Sequence, residues 1–257
     1  MKRNLNRKKF SVFKYQNLIY AFLIILTIMS VFLIYIEKNF ILKIFHRNIE
    51  IFSKNFQYEY NNLNVSGLDK VEYSFLENKL KKYLNTSIFL MPLNQISNEI
   101  RENNWIKNVK LSTNYKDTLY IDLEEYKALG IYRFNKKDFY FDKSGKIIQE
   151  VNDKFNNNNL IIFIGKSSNL NANLIIDILN GLNFQKNFLI RQINYIQKRR
   201  WDILINNDIK LMLSENDPKQ SLQNFLIINK NLNETDMNNI EWIDLRDVNK
   251  TLINYYK

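Results

Sequence analysis

The stretch WIKNVKLSTNYKDTLYIDLEE, residues 105–125, reads as a β-hairpin. Apolar and polar residues alternate from Trp105 to Leu111 and again from Thr118 to Leu123, and the cluster Asn114-Tyr115-Lys116-Asp117 between them supplies turn chemistry. Two amphipathic helices precede it. Val71, Phe75, Leu76, Leu80, Tyr83 and Leu84 recur at helical spacing, with Lys79, Lys81 and Lys82 on the outer face and Asp69/Glu72 in the positions of a capping box. A second helix follows Met91-Pro92, with Asn94 as cap, Leu93, Ile96 and Ile100 inward, and Glu99, Arg101 and Glu102 outward. Tyr58-Glu59-Tyr60 and Leu63-Asn64-Val65 read as a first strand broken at Gly67. The order β-α-α-β-β predicts a two-layer α+β module, since three strands and two helices bury their apolar stripes only against one another.

Composition limits the chemistry. The chain has 257 residues, no cysteine and one histidine, so a disulfide framework, a thiol nucleophile and a His-based metal site or triad are set aside. Hydrophobic residues at 46% supply a packed core. The net charge is +11, but Asn, Ile and Lys account for 41, 35 and 28 residues, the signature of an AT-rich coding bias. The Lys excess is therefore weak support for a nucleic-acid partner.

The charge is also unevenly placed. Lys2, Arg3, Arg7, Lys8, Lys9 and Lys14 fall within residues 1–17 with no acidic residue. Next comes LIYAFLIILTIMSVFLIYI, residues 18–36, without a charge. As a helix it would be about 28 Å long, matched to the ~30 Å hydrocarbon layer, with Tyr20 and Tyr35 near the headgroups. No small-residue cleavage pattern follows, so the run predicts an uncleaved signal anchor and a single transmembrane helix. The basic tail places the N-terminus in the cytoplasm and the remainder outside it. Residues 37–56 predict a juxtamembrane helix, with His46 as a solvated side chain.

Beyond Glu125 the chain reads as short strands at 129–134, 138–142 and 146–149, with Lys143-Ser144-Gly145 as a turn. An Asn-rich loop at 152–159, a strand at 160–164 and a helix at 174–182 follow. Residues 199–213 form a further hairpin, 219–229 a helix, and Trp242-Ile243-Asp244-Leu245-Arg246 precedes a last strand.

Six separated patterns, in order, resemble the bacterial FtsQ/DivIB family of cell-division proteins. They are Val65-Ser66-Gly67, Trp105 to Leu111, Asp117 to Glu125, Phe139 to Gly145, Arg199 to Leu213, and Ile243-Asp244-Leu245-Arg246. Lys116 and Ala128 stand where the family has proline, Val109 where it has alanine, Tyr132 at a common tryptophan and Ser214 at a glycine. The resemblance implies an α+β chain: a basic cytoplasmic tail (1–17), a transmembrane anchor (18–36), a juxtamembrane helix (37–56), a POTRA-like β-α-α-β-β domain (57–125) and a mostly antiparallel C-terminal β domain with flanking helices (126–257). It also implies a non-enzymatic bitopic scaffold at the division septum, in the inner membrane with both domains periplasmic.

The implied partners are an FtsB/FtsL-type coiled-coil pair, with the POTRA-like domain left for other division proteins. The pair would be bound by β-augmentation at the last strand, a mode that needs backbone groups rather than catalytic side chains. The implied contact residues are Arg199, Arg200, Arg246, Asp247, Val248, Asn249, Thr251 and Tyr255. Asp247 replaces a family tyrosine, Asn249 a serine, Lys250 a glycine and Tyr255 a tryptophan. No catalytic, cofactor or metal residue, small-molecule substrate or nucleic acid is implied.

Other motifs are incomplete. Gly165-Lys166-Ser167 lacks the first glycine of a P-loop, since position 160 is Leu160. Ser11-Val12-Phe13-Lys14 fits S-x-x-K without its companions. Adjacent Glu124 and Glu125 point to opposite faces of a strand and cannot act as an acid/base pair. Two competing readings are a membrane-anchored envelope enzyme and a membrane-tethered binder of anionic ligands using the basic tail.

Overall fold

The computed structural model describes residues 12–36, 38–151, 160–206 and 208–256, without the side chains of residues 12–14, 16, 17, 33, 34, 36 and 234. Most of the basic tail and the Asn-rich loop at 152–159 lie outside the described residues. Two compact units divide the chain. The first holds the residues up to Val65 with Ser74–Ser97 and Lys110–Ile121; the second holds Ser66–Tyr73, Asn98–Val109 and the residues from Asp122 onward.

In the first unit, helix α1 spans Val12–Ile36 and α2 spans Lys38–Phe56. The apolar side chains described along α1 between Leu18 and Phe32 are exposed. Among the described residues no helix is long and apolar enough to cross a membrane, so the span expected at 18–36 is not shown.

Helix α3 (Tyr73–Leu80) starts four residues after Asp69 and closes in a 3-10 turn, Lys81–Tyr83. The capping box expected at Asp69 and Glu72 therefore does not open the helix. Instead the amides of Asp69, Lys70 and Val71 donate to the Glu125 carboxylate at 3.0, 2.6 and 3.1 Å, all within the second unit. Helix α4 (Leu93–Ile100) includes Asn94 in its first turn rather than at its cap. In the first unit Leu76, Leu80, Ile96, Leu119 and Ile121 are buried, as the helical and alternating spacings predict.

Strands β1 (Asn62–Ser66), β2 (Ile106–Thr113) and β3 (Thr118–Glu125) make a sheet of order β1-β3-β2. The turn between β2 and β3 is fixed by Asn114, whose Oδ1 accepts from the amides of Lys116, Asp117 and Thr118 at 2.9–3.0 Å. Gly67, at φ +81°, lies so close to the Leu123 carbonyl that a Cβ there would sit 1.9 Å from its oxygen. Only glycine fits at this position.

The second unit is dominated by a nine-stranded sheet of order β12-β11-β10-β9-β8-β7-β4-β5-β6. Its strands are β4 (Ala128–Phe134), β5 (Lys137–Asp142), β6 (Ile147–Glu150), β7 (Ile162–Ile164), β8 (Ile190–Ile196), β9 (Arg200–Ile205), β10 (Ile209–Leu213), β11 (Ile240–Asp247) and β12 (Lys250–Tyr255). Five pairings are antiparallel, while β4 with β7, β7 with β8, and β10 with β11 are parallel. Helices α5 (Ser168–Gly181) and α6 (Pro218–Asn229) pack on one face, and α7 is Glu234–Asn238.

Ile193, Ile203, Leu211 and Ile243 alternate inward from neighbouring strands and meet Ile175, Leu179, Leu222 and Phe225 of the helices, all fully buried. Helix α6 begins with Pro218 at its first turn and Asp217 as cap, its carboxylate accepting from the Gln220 amide at 2.9 Å.

Candidate partner-binding site

Among the described residues strand β12 is an edge, paired only with β11. An edge strand presents a row of backbone N–H and C=O groups to a further strand. Six residues at ~3.4 Å each make it about 20 Å long. Ile253 faces the core, whereas Lys250, Leu252 and Asn254 point to the face without helices. Leu252 is 48% exposed and Tyr255 46%.

The strand register carries Asp202, Met212, Asp244 and Leu252 side by side across β9, β10, β11 and β12. Both aspartates are buried. Each is met by an arginine two residues away on its own strand and therefore on the same face. Arg246 grips Asp244 with Nε at 2.9 and 3.0 Å and Nη2 at 2.6 Å, and Arg200 Nε reaches Asp202 Oδ1 at 3.2 Å. The hydrogen bonds from the Arg246 guanidinium hold the Asp244 carboxyl below the usual carboxylate range, against the opposing effect of burial. The result is two arginines on one face, about 10 Å apart across two strand spacings.

Arg199 is placed differently. It lies in the β8–β9 turn, pairs with Glu215 at 3.6 Å, and lines a depression with Leu174, Trp201 and Pro218 on the helix-bearing side. Arg200 and Arg246 are brought together; Arg199 is not with them.

The β11–β12 turn is built from Asp247 to Asn249. Asp247 Oδ1 accepts from the Asn249 amide at 2.9 Å, and the Val248 carbonyl accepts from Asn224 of α6 at 2.7 Å. Beside it lies an open depression of about 680 Å³ lined by Ser214, Asp217, Asp244, Arg246, Lys250 and Leu252. Thr251 is half-buried in β12, and Tyr255 lies opposite Ile240 at the strand's far end. Leu252 and Asn224 were not among the residues expected here. The alternation of β12 signals Leu252, while nothing local signals Asn224.

Two of the motifs set aside on sequence have structural roles, while Ser11 of the S-x-x-K match and the side chains of residues 12–14 lie outside what is described. Gly165, at φ +113°, would bring a Cβ to 2.3 Å from the Tyr195 carbonyl oxygen, and its own carbonyl accepts from the Ser168 amide at 3.0 Å at the start of α5. Glu124 pairs with Lys107 at 2.6 Å, opposite in direction to Glu125. Among the described residues no group of three or more His, Asp or Glu side chains could hold a metal ion.

Comparison with known proteins agrees with this architecture. A profile described as "POTRA domain, FtsQ-type" matches residues 60–126, and one described as "Cell division protein FtsQ/DivIB, C-terminal" matches residues 130–246. Relatives named "Cell division protein FtsQ" include one from Rickettsia typhi, 29% identical over 195 residues, covering 76% of this chain and 72% of the relative. Another, from Zymomonas mobilis, is 25% identical over 167 residues, covering 65% and 52%. One from Rhizobium radiobacter is 26% identical over 170 residues, covering 65% and 79%. Two family domains in the same order, together with relatives spanning both, establish that this chain belongs to the FtsQ/DivIB family of cell-division proteins.

Proposed function

We propose that the chain is a non-enzymatic scaffold of the division machinery that captures an FtsB/FtsL-type coiled-coil pair by strand addition at β12. The observation that carries this reading is the position of β12: an edge strand with exposed Leu252 and Tyr255, flanked on one face by Arg246 and Arg200. Backbone pairing along the strand supplies affinity, and the flanking side chains supply register and selectivity. Arg246 and Arg200, already neutralised by Asp244 and Asp202, offer outward N–H donors to carboxylates of the partner. The turn residues Asp247, Val248 and Asn249, with Thr251, set the start of the added strand, and Tyr255 its end. Arg199 lies on the other side of the sheet and serves a separate contact.

The same reading takes residues 57–125 and 126–257 as the two extracytoplasmic domains and α1 as the membrane anchor. Support for the anchor is the uncharged run at 18–36 behind a tail of six basic residues. The inner membrane at the septum is the corresponding location.

The test is capture of FtsB- and FtsL-like ectodomains by the full chain in detergent. Removal of the residues after Asn249 abolishes capture, and Tyr255→Ala weakens it by about tenfold, the effect of an aromatic hot spot. Capture by the truncated but folded chain would place the partner elsewhere.

A further inference from the structure

Helix α2 begins two residues after the end of α1 and is amphipathic along its whole length. On a wheel of 100° per residue its apolar side chains cover about 200°, interrupted by Asn48, Asn55 and, in the first turn, Lys38. Phe40, Ile44 and Ile51 form one flank of that side and Phe45, Phe52 and Phe56 the other; all six are between 36% and 61% exposed. Lys43, Arg47, Glu50 and Lys54 gather within about 60° on the opposite side. The helix carries a net charge of +3, from Lys38, Lys43, Arg47 and Lys54 against Glu50.

The globular part of the first unit leaves the apolar side uncovered. It grips α2 through Ser53, whose Oγ is 2.6 Å from Ser87 Oγ, both side chains buried; the helix itself closes there, with Gln57 at φ +59° and the Tyr58 amide donating to the Ser53 carbonyl at 2.8 Å. Ser53 lies at the edge of the polar arc. Around the grip the aromatic surface continues off the helix: Phe52 stacks with Tyr58 at 5.9 Å, and Tyr58 meets Phe89, 45% exposed, at 5.6 Å.

We propose that α2 lies in the headgroup region of the extracytoplasmic leaflet. Its apolar side and Phe89 would be immersed and its basic side turned to water and anionic lipid. The inference rests on the reading of α1 as the membrane anchor, which delivers Lys38 to the bilayer surface. A seam for one partner helix is a narrow stripe, whereas more than half of this circumference is apolar, the breadth that suits a lipid interface. Lys43, Arg47 and Lys54 on the polar side, with Lys38 at the helix start, complement acidic headgroups, and four of the nine apolar residues are phenylalanine, a residue type common in interfacial helices. Through the Ser53–Ser87 grip, this posture fixes the globular part of the first unit at a defined height and rotation above the membrane.

The chain contains no cysteine, so single environment-sensitive labels can be placed in the full-length protein by Phe45→Cys, Phe52→Cys, Lys43→Cys, Lys54→Cys and, within α1, Ile25→Cys. The proteins are reconstituted in phosphatidylcholine–phosphatidylglycerol vesicles with iodide on both sides, or with lipids carrying a nitroxide near the headgroup or at the chain end. The expected result is that labels at 45 and 52 are quenched by the headgroup-proximal nitroxide and several-fold less by iodide than those at 43 and 54. The label at 25 answers to the chain-end nitroxide. Should 25 behave so while 45 and 52 stay as open to iodide as 43 and 54, the anchor stands and the interfacial helix is refuted, leaving the apolar side to a protein partner. A label at 25 that iodide reaches would overturn the anchor itself, and the inference with it.

Discussion

Asp244 and Arg246, two residues apart on β11, form a forked ion pair in which the carboxylate is buried and the guanidinium half exposed. The aspartate can be desolvated because the arginine covers it, and the arginine is held flat on the sheet because the aspartate anchors it. Arg246→Ala leaves the carboxylate with only the more distant Arg200 as counter-charge. The expected loss is about 1 kcal/mol, held below the ~3 kcal/mol or more of a fully buried pair by the exposure of Arg246. Arg246→Lys keeps the charge but not the fork, and should recover only part of the loss. Urea unfolding of the three chains measures both.

Acid should act on the same pair. The folded-state pKa of Asp244 is lowered by the hydrogen bonds from Arg246, and that of Asp138 by its two-point bond with Arg133, whose Nε and Nη2 both reach the carboxylate at 2.8 Å. A carboxylate with a depressed pKa binds fewer protons when folded. Its contribution is therefore complete above the unfolded value near 3.9 and is lost as pH falls through the folded one. Stability should be level at neutral pH and decline below about pH 5. In Asp244→Asn that contribution is missing throughout, so the gap between variant and wild type narrows on acidification. A gap that widens would show the linkage to be wrong in sign.

The Glu125 carboxylate organises the segment before α3 by accepting three consecutive amides. These donors lie outside any helix or strand, so their partner is this side chain. Glu125→Ala should cost about 1–3 kcal/mol, the penalty for stranding part-buried donors. Glu125→Gln, which offers one carbonyl oxygen in place of two carboxylate oxygens, should fall between. Glu124→Ala is the control: its pair with Lys107 is exposed on both sides, and its loss should change the urea midpoint little.

These cases show what the sequence could convey. The hairpin at 105–125 was readable because alternation and Asn114 turn chemistry are local, and so was the closing strand after Asp244-Leu245-Arg246. The start of α3 was misread because Asp69 and Glu72 imitate a capping box, while the group that binds the amides is Glu125, 55 residues downstream of Lys70. Strand β8 escaped notice because a register shift between Ile190 and Gln192 brings Ile190 and Ile193 both to the buried side, which destroys the period of two. The early start of α5 was hidden by the poor helix formers Ser168, Asn169, Asn171 and Asn173. At the candidate site, Arg246 and the edge strand were visible, but Arg199 and Arg200 could be separated only by the turn that sends them to different sides.

The Ser53–Ser87 bond gives the last prediction, because two buried hydroxyls at 2.6 Å satisfy one another across 34 residues of chain. Removing one leaves the other buried with its chief partner gone, so Ser53→Ala and Ser87→Ala should each destabilise the first unit by about 1–3 kcal/mol. Removing both leaves no stranded hydroxyl, and the double variant should be less destabilised than the two single losses predict together. A thermal melt of the four chains in detergent closes this cycle. Strict additivity would mean that each serine is held by other contacts and that the grip on α2 lies elsewhere. A favourable coupling of about 1 kcal/mol would identify this pair as the joint that transmits the position of α2 to the globular part of the first unit.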